Sequence, residues 1–231
     1  ADNRAGRMRR ERSRPVGTVS RGSAPSVTID EGYTKFVCDW HRCTLPPLDE
    51  LAEICRWRKP LFDAGLIGIY EEHGIGFGNI SVRIGSGSEF LISGTQTGHI
   101  ADVGAGHFAL VTEVDTERNS VRCRGPVQAS SESMTHAALY ETAADINAIV
   151  HVHSEILWNI HKGVLPTTSQ DIAYGTPEMA AEFKRLYRET VFRTGGIAVM
   201  GGHESGLISI GRNPGEAAMR ILTLQDSLQA C

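Results

Sequence analysis

The residues able to do chemistry fall in three short segments. Ala148-Ile149-Val150-His151-Val152-His153 reads as a buried strand. Side chains on a strand alternate faces, so His151 and His153 share one face while Val152 takes the other. Two neutral imidazoles on one face of a rigid strand form a pre-organised chelate for a borderline metal such as zinc. A catalytic zinc site needs three protein ligands and an open position, and His203 in Gly201-Gly202-His203-Glu204-Ser205-Gly206 is a natural third. Glu132, upstream in Ser130-Ser131-Glu132-Ser133-Met134-Thr135-His136, supplies a carboxylate that could act as a base, or as a fourth ligand that substrate displaces. Three imidazoles on zinc leave room for both oxygens of an α-hydroxy ketone, whose enediolate the cation would stabilise. His136 lies one helical turn from Glu132 and is expected to pack behind the site rather than bind metal.

A second group of residues suits an anion. Ser130 and Ser131 fall at the expected start of a helix, where free N–H groups and the helix dipole favour a phosphate or carboxylate. Glycine at Gly78 and Gly98 lets backbone approach a ligand closely, and Asn79, Thr97 and the two serines offer neutral donors. The same residues also read as tight turns plus a helix cap.

Gly78-Asn79-Ile80-Ser81, Leu91-Ile92-Ser93-Gly94-Thr95-Gln96-Thr97-Gly98, Ser130-Ser131-Glu132, His151-Val152-His153 and Gly202-His203 follow one another across most of residues 50–211. In this combination the chain resembles the class II aldolase/adducin family, whose best-known members cleave or epimerise small sugar phosphates. The resemblance implies a zinc ion (or another divalent metal such as Mn2+) on His151, His153 and His203, with Glu132 catalytic. It places Gly78, Asn79, Ser93, Gly94, Thr97, Gly98, Ser130 and Ser131 around the substrate phosphate. It also implies a three-layer domain, usually in a homotetramer with active sites between neighbours. The expected function is a zinc-dependent lyase making an aldolase-type carbon–carbon cleavage through an enediolate, on a small phosphorylated hydroxy-carbonyl compound. An epimerase, dehydratase or decarboxylase could use the same metal site, because one fold serves many chemistries. A non-catalytic, adducin-like interaction module would be expected to have lost the metal ligands present here.

Three departures from the family pattern bear on that expectation. The Ser93–Gly98 loop is longer than the short Thr/Ser-Gly turn of the sugar-phosphate members, leaving open which of Ser93, Thr95 and Thr97 meets ligand. Glu204 and Ser205 separate His203 from Gly206; a register set by the glycine would put Ser205 at the ligand position, but serine is a poor zinc ligand. Residues 165–176 are shorter than in the aldolases, and the tyrosine that some send into a neighbour's site has no clear counterpart; Gln170, Asp171 and Tyr174 are the local candidates. No tail is expected beyond the last helix to carry a second acid.

Composition sets the bounds. With 231 residues, 41% hydrophobic and 22% charged, the chain has an ordinary globular balance, and no apolar run suggests a membrane span. Five cysteines without zinc-finger or redox spacing fit reduced thiols in a cytoplasmic protein, and no secretory leader is expected. Residues 1–22 hold seven arginines against Asp2 and Glu11, a net +5 in a chain of −4, so the remainder is distinctly acidic. Residues 1–27 are expected to form a basic, flexible arm with no nucleic-acid role, since aromatic interleaving is missing.

The positioning elements follow from pattern. Residues 28–231 are expected to form a single α/β domain with a mostly antiparallel central sheet between helices. A helix is expected over Leu48–Leu66, with Leu51, Ile54, Cys55, Leu61 and Phe62 on one face and Pro60 kinking or dividing it. Strands are expected over Ile67–Tyr70, Gly78–Ile84, Glu89–Ile92, Phe108–Val114, Ser120–Arg124 and Ala148–His153, and a helix over Ser131–Thr142. A short helix over Glu155–His161 and one from Thr176-Pro177-Glu178 to Glu189 come next. A hairpin-like pair, Ile197–Met200 and Leu207–Ile210, surrounds His203, and Asn213-Pro214 opens a final helix to about Gln229.

Overall fold

A computed structural model describes residues 34–229. The expected basic arm, the expected onset of order near Val27, and Cys231 lie outside the described residues. In chain order the elements are β1 (Val37–Arg42), α1 (Glu50–Asp63), β2 (Gly68–Tyr70), β3 (Ile75–Phe77), β4 (Asn79–Arg83), β5 (Phe90–Ser93), β6 (Phe108–Asp115), β7 (Ser120–Gly125), α2 (Ser133–Thr142), β8 (Ala148–His153), α3 (Glu155–His161), α4 (Pro177–Glu189), α5 (Phe192–Gly195), β9 (Ile197–Val199), β10 (Gly206–Gly211) and α6 (Pro214–Gln229).

Eight strands form one sheet in the order β1-β7-β6-β5-β4-β8-β10-β9, and β2 with β3 makes a separate hairpin. Every pairing in the large sheet is antiparallel except β1 with β7 at one edge. Strand alternation divides the core in two. Ala148, Val150 and Val152 of β8 join Ile54 and Leu61 of α1 and Ala217, Ala218 and Ile221 of α6 on one face. Ile149 joins Met134 and Ala138 of α2 and Met179 and Phe183 of α4 on the other. The result is three layers, helices on both faces of the sheet, as the sequence pattern implies. His151 and His153 continue the Ile149 face and so emerge on the α2 side of the sheet.

Capping follows local chemistry. Thr176 Oγ1 accepts from Met179 N–H at 3.3 Å with Pro177 in the first turn of α4, and the buried residues Met179, Ala180, Phe183, Leu186 and Tyr187 recur at helical spacing. Three expectations need correction. Pro60 does not divide α1, which continues unbroken to Asp63; its missing N–H leaves only the Arg56 carbonyl without a helical donor. The helix expected from Ser131 begins at Ser133, with Glu132 at its N-cap, so Ser130 and Ser131 lie in the turn before it. Strands β1 and β3 were not expected. β1 is exposed along nearly all its length, so it lacks an alternating pattern, and β3 is a three-residue strand beside Gly74.

Candidate metal centre and anion pocket

Three elements deliver the imidazoles. His151 and His153 stand on β8, and the turn between β9 and β10 brings in His203. That turn approaches the chain after α3 so closely that a Cβ on Gly202 would run into the Ile172 carbonyl, which accounts for the glycine. The imidazole nitrogens of His151, His153 and His203 all lie within 4.8 Å of one another, and all three residues are buried. His151 Nε2 and His153 Nε2 are 3.0 Å apart. Ser205 sits in the same turn with φ of 65°. Glu204 is exposed.

Each imidazole on β8 has an outer partner. His151 Nδ1 lies 3.1 Å from the Leu207 carbonyl, and His153 Nδ1 lies 2.8 Å from the Tyr70 hydroxyl. A carbonyl can only accept, so His151 carries its proton on Nδ1 and presents a lone pair at Nε2. Phe77 packs against His153 with ring centroids 5.4 Å apart, and Tyr174 against His203 at 4.4 Å. Of the local tyrosine substitutes, Tyr174 is therefore beside the imidazoles, whereas Gln170 and Asp171 are exposed.

Glu132 is 1% exposed, and its Oε1 lies 3.4 Å from His203 Nδ1. That separation suits charge attraction but exceeds a well-formed hydrogen bond, and neither carboxylate oxygen has such a bond among the described residues. Burial alone would raise its pKa; the contact with His203, the electrostatic influence of the His151 and His203 imidazoles and the Thr135 hydroxyl outweigh burial and bring it to about 2. His136 is fully buried, its Nδ1 2.7 Å from Ser81 Oγ, which in turn lies 2.7 Å from the Tyr140 hydroxyl. Burial, opposed by Glu132 and reinforced by His151, pulls its pKa down to about 3. His136 is outside the three-imidazole group. Three facing imidazoles beside a buried carboxylate that lacks its bonds are a donor set a divalent cation would satisfy, and the residues present fit one.

A polar pocket is lined by Gly76, Gly78, Asn79, the loop from Gly94 to Gly98, Ser130 and Ser131. Asn79 pairs with His151 across β4 and β8, which sets pocket and imidazoles side by side. Seven of the eight residues expected around the phosphate line it. Ser93 does not; its hydroxyl accepts from Ile80 N–H at 3.1 Å and ties β5 to β4. Thr97 Oγ1 donates to the Gly94 carbonyl at 2.8 Å, so its proton is committed within the loop. Ser130 Oγ accepts from Glu132 N–H at 3.3 Å, leaving its own proton available. Arg58 and Tyr70, on α1 and β2, are the partners that sequence reasoning missed. Arg58 carries a signal, since it stands four residues from Ile54 and three from Leu61 on the buried helical face. Tyr70 carries none.

Residues 70–231 match the profile of the Class II Aldolase and Adducin N-terminal domain. No curated protein sequence matches. Among solved structures, L-fuculose-1-phosphate aldolase from Thermus thermophilus is 23% identical, with a TM-score of 0.52 over 78% of this chain and 92% of that one. A sugar-phosphate aldolase from Thermotoga maritima is 16% identical, with a TM-score of 0.56 over 77% and 91%. YgbL from Escherichia coli, described as a candidate aldolase/epimerase/decarboxylase, is 17% identical, with a TM-score of 0.57 over 78% and 86%. At these identities the likeness is one of fold, while the profile covers well over half of the chain. The chain belongs to the class II aldolase/adducin family.

Proposed function

We propose that the protein is a metal-dependent lyase that cleaves a carbon–carbon bond in a small, phosphorylated hydroxy-carbonyl compound. The observation carrying this reading is the meeting of three buried imidazoles with the buried Glu132 carboxylate, beside a polar pocket. His151, His153 and His203 would hold the ion, and their all-imidazole set favours zinc over Mn2+. When bound, the cation supplies Lewis-acid stabilisation of charge developing on the substrate's oxygens. Glu132 accepts the substrate proton at a carboxylate oxygen and returns it after cleavage. Asn79, Ser130, Ser131 and the Gln96 and Gly98 N–H groups hold the phosphate and so orient the reacting carbons over the imidazoles.

We further propose a cytoplasmic homotetramer with active sites between neighbours. Support comes from a bare apolar stripe following the histidine strand: Ile156, Ile160 and Val164 are 66%, 48% and 76% exposed. No helix among the described residues is long and apolar enough to cross a membrane. An epimerase, dehydratase or decarboxylase is the second reading, supported by the description of the Escherichia coli neighbour.

The test is zinc-loaded protein assayed against a panel of phosphorylated ketoses for aldehyde release. Release that a chelator abolishes and zinc restores is the expected result. Epimerised product, loss of water or carbon dioxide without aldehyde would select the second reading. No turnover of any kind, with zinc bound, would leave an interaction module.

A further inference from the structure

Arg58 is fully buried on α1, and its hydrogen-bond partners are backbone carbonyls: Ile100 O at 2.6 Å from Nη1, and Thr97 O and Gly98 O at 2.9 and 3.3 Å from Nη2. Burial pulls its pKa down to about 10, partly offset by Cys55, and the guanidinium is still charged at neutral pH. A buried cation held by carbonyl dipoles and the face of the Phe62 ring, 5.7 Å away, with no carboxylate partner among the described residues, is a costly arrangement for a helix that apolar packing alone would hold. Its three acceptors belong to one loop, and that loop runs along the anion pocket.

We propose that Arg58 is a positioning residue for the anion pocket: it holds the Thr97, Gly98 and Ile100 carbonyls on one side of the loop, and so turns the Gly98 and His99 N–H groups, which are not spent on backbone bonds as those of Thr95, Thr97 and Ile100 are, toward a bound phosphate with a buried positive charge behind them. A trans peptide sets its carbonyl and N–H in opposite directions. With Thr97 O on the guanidinium, Gly98 N–H points away from Arg58; with Gly98 O there, His99 N–H does the same. Gly98 N stands 3.1 Å from the point a Cβ on Gly76 would occupy, and both glycines line the pocket. Gly76 belongs to β3, and Gly98 is pressed against the same β2–β3 hairpin, where any side chain on it would strike Gly68 O and the Phe77 backbone. The loop is thus pinned between the hairpin and Arg58.

Charge strengthens the case. None of the lining residues is charged, so a phosphate there would meet only neutral donors and dipoles at first contact. A cation behind the loop, away from water, is screened far less than a surface one. Lysine keeps the charge but offers a single nitrogen where the planar guanidinium spans three carbonyls, so it reproduces the arrangement only in part.

The inference rests on the phosphate reading of the pocket, and the experiment separates the two. Inorganic phosphate is titrated calorimetrically into zinc-loaded wild type, Arg58→Lys and Arg58→Met, with zinc content measured on the same samples. Zinc content should be the same in all three, while the phosphate Kd rises roughly tenfold or more in Arg58→Met and by less in Arg58→Lys. A merely structural role would lower the melting temperature without separating phosphate affinity from zinc content or giving rescue by lysine. Folded, zinc-loaded Arg58→Met with the wild-type phosphate Kd overturns the inference while leaving the pocket intact. Wild type that binds no phosphate overturns the phosphate reading and the inference with it. If Arg58→Met does not fold, Arg58→Lys decides, and an unchanged Kd there overturns the role.

Discussion

The Tyr70 hydroxyl lies 2.8 Å from His153 Nδ1, on the far side of the ring from the Nε2 that faces His151. For both Nε2 atoms to offer lone pairs to one cation, the His153 proton must sit on Nδ1 and be accepted by the Tyr70 oxygen. The Leu207 carbonyl already imposes that tautomer on His151. The β2–β3 hairpin therefore has a chemical role, bringing to His153 the acceptor that β10 supplies to its neighbour.

Tyr70→Phe should keep the fold and weaken metal binding by about 10–100-fold, the usual cost of removing an outer partner of a metal-binding histidine. Competition with a chromogenic chelator measures this. Unchanged affinity would show that His153 takes the required tautomer without help.

Glu132→Gln should keep the fold and most of the metal while turnover falls by about 10²–10⁴-fold, the typical size of a general acid–base contribution. Single-turnover rates on the zinc-loaded variant check it. Near-normal turnover would move the base elsewhere.

His136 should make the protein acid-sensitive. Its pKa is held at about 3, whereas the unfolded chain takes up the proton near pH 6.5. Between these values the unfolded state binds more protons, so stability falls as pH falls, by at most about 1.4 kcal/mol per pH unit. The groups facing the ring that shift its pKa, Glu132 and His151, act in opposite directions. Urea melts of metal-free protein at pH 7 and pH 5 should show a smaller loss for His136→Gln than for wild type, by about 2 kcal/mol. Equal losses would mean that water reaches the ring.

A phosphorylated substrate should outperform its dephosphorylated analogue in turnover as well as affinity, because remote binding orients the reacting centre. Ser131→Ala should narrow the gap between the pair, and phosphate should inhibit competitively. Steady-state kinetics on both substrates measure this, and equal rates in wild type would replace the phosphate with a carboxylate or neutral group.

Much of this fold is legible because burial leaves a period. On β8 the alternation of Ala148, Val150 and Val152 against Ile149, His151 and His153 announces both the strand and the shared face of the histidines. Thr176-Pro177 marks the start of α4 through its capping chemistry. β1 is illegible for the converse reason: apart from the half-buried Cys38 it is exposed, and its backbone pairing with β7 leaves no mark on residue type. Within the pocket, Ser93 differed from its neighbours only in direction, since on β5 its hydroxyl is spent on the Ile80 amide. Partners such as Tyr70 depend on tertiary approach across 83 positions, which no local pattern records.

The central claim is that three imidazoles hold a catalytic ion, and elemental analysis of purified protein with His151→Ala, His153→Ala, His203→Ala and Ser205→Ala tests it most directly. Wild type and Ser205→Ala should each carry close to one divalent ion per chain, and each histidine variant should lose most of it. Wild type that neither carries nor takes up a divalent ion would contradict the account. So would Ser205→Ala stripped of metal beside His203→Ala that keeps it, because the third ligand would then not be the residue that stands beside Glu132.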